Sequence, residues 1–276
     1  MTKKLIDIST WQKNVDYSAV KSSGIDGAII RCGVTLWGAQ EMEADGMFEK
    51  HYAGFKSVGM PLGAYYYSAA DSVEMAKKEA NFCISLLKGK QFEYPIYYDI
   101  ENNERQGKLS KDVLTAIAVT FCEALENAGY WVGVYANTDW FTNKLNHTKL
   151  SGLYTIWLAD YRSENANQSL KRDIWQYTSK GKVNGISGNV DLNECYRDLP
   201  AEIKRNGKNG FSAASSGGST SKPQGRTYTV KSGDSFWKIA EEQLGDGTRY
   251  KELAAYNGMS TNTVIHPGDV LKLPAR

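Results

Sequence analysis

The first run of residues in this chain that could do chemistry is Tyr94-Pro95-Ile96-Tyr97-Tyr98-Asp99-Ile100-Glu101. In an extended strand, residues i and i+2 face the same side, so Asp99 and Glu101 project together while Ile100 faces away. Two carboxylates so close cannot both ionise cheaply, and one keeps its proton towards neutral pH. Cleavage of a glycosidic bond needs that combination: an acid for the leaving oxygen and negative charge beside the developing oxocarbenium ion. A solvated strand end or a divalent-metal site is compatible with the same pair. Two distant acidic residues sit in similar surroundings. Asp7 closes an apolar run in LIDIS, and Asp191 closes another in GNVDL. Aromatic residues also end apolar runs: Tyr65 in GAYYYS, Tyr135 in VGVYAN and Trp157 in IWLAD. Such side chains stack on sugar rings or pack the mouth of a barrel.

The elements that must position these residues follow from periodicity. Strands are predicted at 4–8, 27–31, 62–67, 94–100, 131–136, 154–159, 173–177 and 188–192, several of them β-branched or aromatic and bounded by Gly, Pro or Asn. Helices are predicted at 45–58, at 72–87 before Gly89, and at 110–127 before Gly129. In the last of these Leu114, Ile117, Ala118, Phe121, Cys122 and Leu125 recur at helical spacing. Eight strands with helices concentrated in the first half predict an α/β fold, an irregular (β/α) barrel with fewer than eight helices. An open doubly wound sheet is the alternative, although no GxGxxG follows a strand. In a closed barrel the first and last strands are neighbours, so Asp7, Asp99, Glu101 and Asp191 are expected on one rim.

Composition narrows the function classes. The 276 residues carry 33 Lys and Arg against 31 Asp and Glu, a net charge of +2, which excludes a strongly basic nucleic-acid binder. No apolar run approaches the roughly 20 residues of a membrane span, so no membrane insertion is expected. The N-terminus turns polar after two apolar residues, which predicts a protein made in the cytoplasm without a signal peptide. Cys32, Cys83, Cys122 and Cys195 form no CxxC pair, and His51, His147 and His266 form no HExxH; no metal or cofactor is expected. Residues 206–226 are Gly/Ser-rich without helical or strand period and read as a flexible linker. It separates a large domain, 1–205, from a small one, 227–276.

Residues 3 to about 200 resemble the glycoside hydrolase family 25 lysozymes, the Chalaropsis-type muramidases. The resemblance rests on LIDISTWQ, GAIIRCG, PLGAYYYS, YYDIE, VGVYAN, TIWLADY and DIWQYTSKGKVNGISGNVDLN, in that order. It implies cleavage of the β-1,4 bond between N-acetylmuramic acid and N-acetylglucosamine in peptidoglycan. By position it implies Glu101 as general acid, Asp99 as its partner carboxylate, and Asp7 and Asp191 as a flanking acidic pair. Tyr65, Tyr135, Trp157 and Gln176 fall in segments where the family contacts saccharide. Family members often carry His-Phe where this chain has Tyr66-Tyr67, a departure expected to alter sugar contacts and not the reaction. A carboxylate about 5 Å from the acid suits direct attack, and one at about 6.5–9.5 Å suits an inverting water. The resemblance favours a third route, retention through the sugar's own N-acetyl group.

The segment after the linker predicts strand, helix, helix, strand, a small α+β domain. It resembles a LysM module in YTVKSGDSFWKIA, YKELAAYNG and HPGDVLKLP. That resemblance implies binding of N-acetylglucosamine chains by two loops, with Gly233, Asp234, Ser235 and Phe236 in one and Ile265 and His266 in the other. Bacterial peptidoglycan is therefore the expected partner, and the expected role is that of a phage endolysin acting on the wall after release. A bacterial autolysin of the same activity and a chitinase-like barrel glycosidase are the alternatives; the chitinase series DxxDxDxE is absent.

Overall fold

The computed structural model describes residues 2–36, 41–162, 169–212, 227–261 and 263–274. They divide into two compact units, Met1–Ala214 and Ser215–Arg276. The larger unit begins with β1 (Lys3–Ile8), α1 (Tyr17–Ser22), β2 (Gly27–Thr35), β3 (Met42–Ala44), α2 (Phe48–Ser57), β4 (Leu62–Tyr67) and α3 (Val73–Leu87). It continues through β5 (Ile96–Asp99), α4 (Lys111–Asn127), β6 (Val132–Asn137), a π-helical turn (Trp140–Lys144) and α5 (His147–Leu153). It ends with β7 (Thr155–Ala159), β8 (Ile174–Gly181), β9 (Val190–Cys195) and α6 (Leu199–Arg205). Strands pair in the order β1-β2-β4-β5-β6-β7-β8-β9, and β9 returns to β1, so an eight-stranded barrel closes. β3 hangs from β2 as a hairpin arm.

The barrel is parallel from β1 to β8, whereas β9 runs antiparallel to both β8 and β1. This corrects the placement of Asp191: it stands near the start of its strand, not the end. Because the strand runs backwards, its start lies at the mouth where the parallel strands finish. Asp191 is thereby in register with Asp7.

Strand alternation divides the apolar residues into two cores. Ile6, Ile30, Ala64, Tyr98, Val134 and Ile156 face outward and bury against the helices, joining Phe55, Ala80 and Phe121. Leu5, Ile29, Tyr97, Trp157, Ile174 and Cys195 face inward and fill the lumen. Gly133 is required there: a Cβ on it would lie 2.3 Å from the Tyr97 ring. Ser72 and Ser110 cap α3 and α4 as their sequences predict, each accepting a backbone N–H three residues on. Among the described residues the larger unit has six α-helices; α1, α5 and α6 are six or seven residues long, too short for periodicity to reveal.

The expected linker starts too early. Asn209 is fully buried: its Nδ2 donates to the Phe92 and Tyr94 carbonyls at 3.0 and 2.9 Å, and its Oδ1 accepts from Trp131 N at 2.7 Å. Phe211 packs against the lumen core beneath. The chain thus stays on the barrel through Ser212, and residues 213–226 of the expected linker lie outside the described residues.

The smaller unit is β10 (Thr227–Thr229), α7 (Phe236–Leu244), a 3-10 turn (Gly247–Arg249), α8 (Tyr250–Tyr256) and β11 (Val270–Lys272). β10 and β11 pair antiparallel, and Val230, Phe236, Ile239, Leu253 and Leu271 form its core.

Candidate active site

The end of β5 sets the site. Ser68 N donates to the Asp99 carbonyl at 2.9 Å, and Ile100 N donates to the Tyr135 carbonyl at 3.1 Å, so pairing with both neighbours continues past the strand. Asp99 therefore points into the barrel mouth, and Glu101, two residues on, does so too. Asp99 is 5% exposed and its Oδ1 has no partner among the described residues. Burial, with the charges of Glu101 and Asp7, pushes its carboxyl well above the usual range, against the pull of Arg31.

Glu101 is half-buried at the edge of a cleft of about 740 Å³ that Tyr135, Asn137, Asp160 and Tyr161 help to line. Trp140 N donates to Asn137 Oδ1 at 3.1 Å, leaving the Asn137 amide to donate to Glu101. Burial lifts the Glu101 carboxyl to about 7, helped by the charge of Asp191 and opposed by the Asn137 bond. Asp191 is lifted to about 6, again chiefly by burial. Asp7 is raised to about 8 by burial first and by Asp191 second, although Asn193 and Gln176 donate to it. Near neutral pH this rim holds protonated carboxyl groups, which is the state an acid catalyst needs.

The structure brings the four expected carboxylates to one mouth, but it gives the expected saccharide contacts different work. Gln176 is 3% exposed; its Nε2 donates to Asp7 Oδ2 at 2.8 Å, and its Oε1 accepts from Tyr135 and Tyr161 hydroxyls at 2.9 and 2.5 Å. Trp157 is 1% exposed, with its ring against Tyr65, Tyr97 and Tyr135 and its Nε1 donating to Asn193 Oδ1 at 2.7 Å. No face of that indole is open to a sugar. It holds Asn193, whose Nδ2 donates to Asp7 at 2.9 Å. Tyr135 lines the cleft and Tyr65 is half-buried beside Trp157. The Tyr66-Tyr67 pair also splits. Tyr66 faces outward, fully buried, hydrogen-bonded to Thr35 Oγ1 at 2.9 Å and packed on Phe82 and Phe121, so it touches no sugar. Tyr67 faces the mouth, where burial and the charges of Asp99 and Glu101 raise its hydroxyl.

Asn193, Asn137 and Tyr161 are site residues that the sequence reading did not single out. Asn193 stands two residues after Asp191 in the same strand and so faces the same way. That spacing was a usable signal. Asn137 and Tyr161 carried none beyond ending the runs VGVYAN and TIWLADY.

The family model of the glycosyl hydrolases family 25 matches residues 6–186, and that of the LysM domain matches residues 228–274. The chain belongs to glycosyl hydrolase family 25. Its match to the autolytic lysozyme of Clostridium acetobutylicum is 31% identical over 69% of this chain and 55% of that protein. The chain thus spans about half the length of that relative. The solved structure of the CTP1L endolysin aligns with a TM-score of 0.63 at 26% identity, over 73% of this chain and 69% of that one. The autolysin LytC of Streptococcus pneumoniae, solved with a synthetic peptidoglycan ligand, aligns with a TM-score of 0.60 at 30% identity, over 71% of this chain and 47% of that one. The matched family 25 segment ends before β9, yet Asp191 and Asn193, both on β9, complete the rim.

In the LysM unit the two expected loops are adjacent: Val230 N donates to the Asp269 carbonyl at 2.8 Å, and Gly268 N donates to that of Val230 at 2.9 Å. Gly233 takes a φ of +83°, as its turn requires. Asp234 accepts from the Tyr228 hydroxyl and Lys231 N, both at 2.8 Å, and Ser235 caps α7. Phe236 is corrected: at 5% exposure it belongs to the core and offers nothing to a sugar. Ile265 is half-buried on that core, and His266 is exposed with its N–H held by Asp269.

Proposed function

We propose that this protein is an N-acetylmuramidase that cuts the β-1,4 bond between N-acetylmuramic acid and N-acetylglucosamine in bacterial peptidoglycan. The observation that carries the reading is Glu101 lifted to about 7 at the edge of an open cleft, beside the buried, unpartnered Oδ1 of Asp99. Glu101 donates its proton to the leaving oxygen and, as a carboxylate, later takes one from water. Asp99 Oδ1 accepts the N–H of the substrate's acetamido group, holding the acetamido oxygen towards C1 and stabilising the oxazolinium-like intermediate. Asp191, at about 6, is the flanking carboxylate that is ionised near neutral pH and keeps the field at the mouth negative, which favours the cationic transition state. The LysM unit holds the enzyme on the same polymer.

The whole-protein role we infer is that of an endolysin, made in the cytoplasm and acting on the wall once it reaches it. The similarity to the CTP1L endolysin supports it, and the autolytic lysozyme supports the autolysin as a second reading. Mass spectrometry of peptidoglycan digests tests the reaction: wild-type protein is expected to release muramic-acid reducing ends, with kcat/KM falling as pH rises above about 7. Glu101→Gln is expected to lose about 10²–10⁴-fold in kcat with an unchanged melting temperature. Wild-type activity in a folded Glu101→Gln protein overturns the assignment.

A further inference from the structure

Trp11 is the most exposed large apolar side chain among the described residues of the barrel unit, at 81% against 52% for Tyr161. Its backbone is nevertheless tightly held. Gln12 N donates to the Ser9 carbonyl at 3.0 Å, Ser9 N donates to Gln12 Oε1 at 3.1 Å, and Thr10 N donates to the buried Asp45 Oδ2 at 3.0 Å. Gln12 Nε2 reaches across to the Asn189 carbonyl at 3.3 Å, two residues before Asp191. A fixed turn that holds an indole in water gains nothing for folding from the ring, because burying that ring is what would stabilise the chain.

The position of the turn gives the ring a use. Trp11 follows β1, four residues after Asp7, on the rim where β1 meets β9. In the ring β1-β2-β4-β5-β6-β7-β8-β9, the strand diametrically opposite β1 is β6. The cleft beside Glu101 is lined by the residues following β6 and β7, from Asn137 to Asn143 and from Ala159 to Arg162. A polymer laid across the mouth along that diameter, with its scissile bond at Glu101 and one end in the cleft, leaves over the β1 side. Three residues beyond Trp11 the chain enters a groove of about 550 Å³ between residues 14–16 and 185–187, bordered by Lys50.

We propose that Trp11 is an aromatic platform for a pyranose ring of the glycan strand, on the side of the scissile bond away from the Glu101–Arg162 cleft. Trp11 is a binding residue that lengthens the site, and this role rests on the muramidase reading above. The apolar face of the sugar covers the indole, and the contact forms equally in the ground and transition states, so it acts on KM and not on kcat.

The test is kinetics on defined-length strands of alternating N-acetylglucosamine and N-acetylmuramic acid. Trp11→Ala is expected to raise KM about tenfold on long strands, with the loss shrinking as the strand shortens and kcat held throughout. Trp11→Phe is expected to restore most of the long-strand KM, and the melting temperature of both variants should match the wild type. In a Glu101→Gln background, quenching of tryptophan fluorescence by the long strand should weaken when Trp11 is replaced. A loss independent of strand length, a loss in kcat, or no loss at all in a wild type that cuts these strands overturns the platform while leaving the muramidase standing. A wild-type protein that cuts none of them overturns the muramidase reading, and the platform falls with it.

Discussion

Asp7 stands between Gln176 and Asn193, facing Asp191, with burial as the main reason its carboxyl is raised to about 8. Its value in the unfolded chain is near 3.8, so between about pH 4 and pH 8 the folded protein binds the extra proton. The stability this contributes is complete below the unfolded value and is lost as pH rises through about 8. Function therefore requires a rim that opposes folding at the pH where it works. Asp7→Asn keeps an oxygen acceptor for both amides and removes the charge. It should raise the melting temperature at pH 8 by about 5 °C, with the gain vanishing towards pH 4. A pH series of thermal melts of the two proteins measures it, and a gain that persists at pH 4 contradicts the assignment. Only above about pH 8, where Asp7 is ionised in the wild type, should the same variant also lower kcat by reducing the negative field at the mouth.

Glu101 lies outside β5, so a loop has to hold it. Gln106, fully buried, is the brace of that loop. Its Oε1 accepts from Asn102 N at 3.1 Å, and its Nε2 donates to Ser68 Oγ at 3.0 Å and to the Ala70 carbonyl at 2.9 Å. The residue after Glu101 is thereby tied to the turn that follows β4. Beneath it Glu79, also fully buried, accepts from Ala69 N at 3.1 Å and from the Tyr98 hydroxyl at 2.5 Å. Gln106→Ala takes the side-chain partner from the Asn102 N–H and the Ala70 carbonyl, while Ser68 Oγ keeps Glu79, Tyr98 and Ala70 N, at a cost of about 2–3 kcal/mol. Urea denaturation should show that loss, and kinetics should show kcat down about tenfold with KM little changed, the mark of a displaced acid. If kcat is untouched while stability falls, Gln106 serves the fold alone.

At the scale of the whole molecule, charge is segmented. Residues 1–202 carry 22 basic and 25 acidic side chains, 203–226 carry five basic and none acidic, and 227–276 carry six of each. A weakly binding module joined to the barrel through a cationic segment raises the local concentration of enzyme on an anionic polymer. Deleting residues 227–276 should leave cleavage of soluble glycan fragments intact and reduce the rate on insoluble sacculi at least about tenfold. Replacing Lys204, Arg205, Lys208, Lys222 and Arg226 by Ser should weaken retention on sacculi at low salt and make no difference at high salt. Pull-down of the protein with sacculi across a salt series checks both. Retention that ignores both changes would show that the barrel alone holds the wall.

The parts whose signal is local were legible in the sequence. Alternation placed Asp99 and Glu101 on one face, Ser72 and Ser110 marked the starts of α3 and α4, and the strand–helix–helix–strand order of the small unit was legible throughout. A closed barrel also brings Asp7 and Asp191 to the pair at the end of β5. How they meet was set by pairing between strands. β9 turns back along its neighbour β8 and closes on β1, which lies nearly the whole barrel unit away in sequence, and alternation within a strand does not encode its direction. Burial decided the rest. Trp157, Gln176 and Phe236 have side chains suited to sugars, but each faces a core, where a ring packs and an amide orients a carboxylate. Trp11 has the same chemistry on a rigid exposed turn, and only its place on the rim opposite the cleft separates a binding surface from a packing residue.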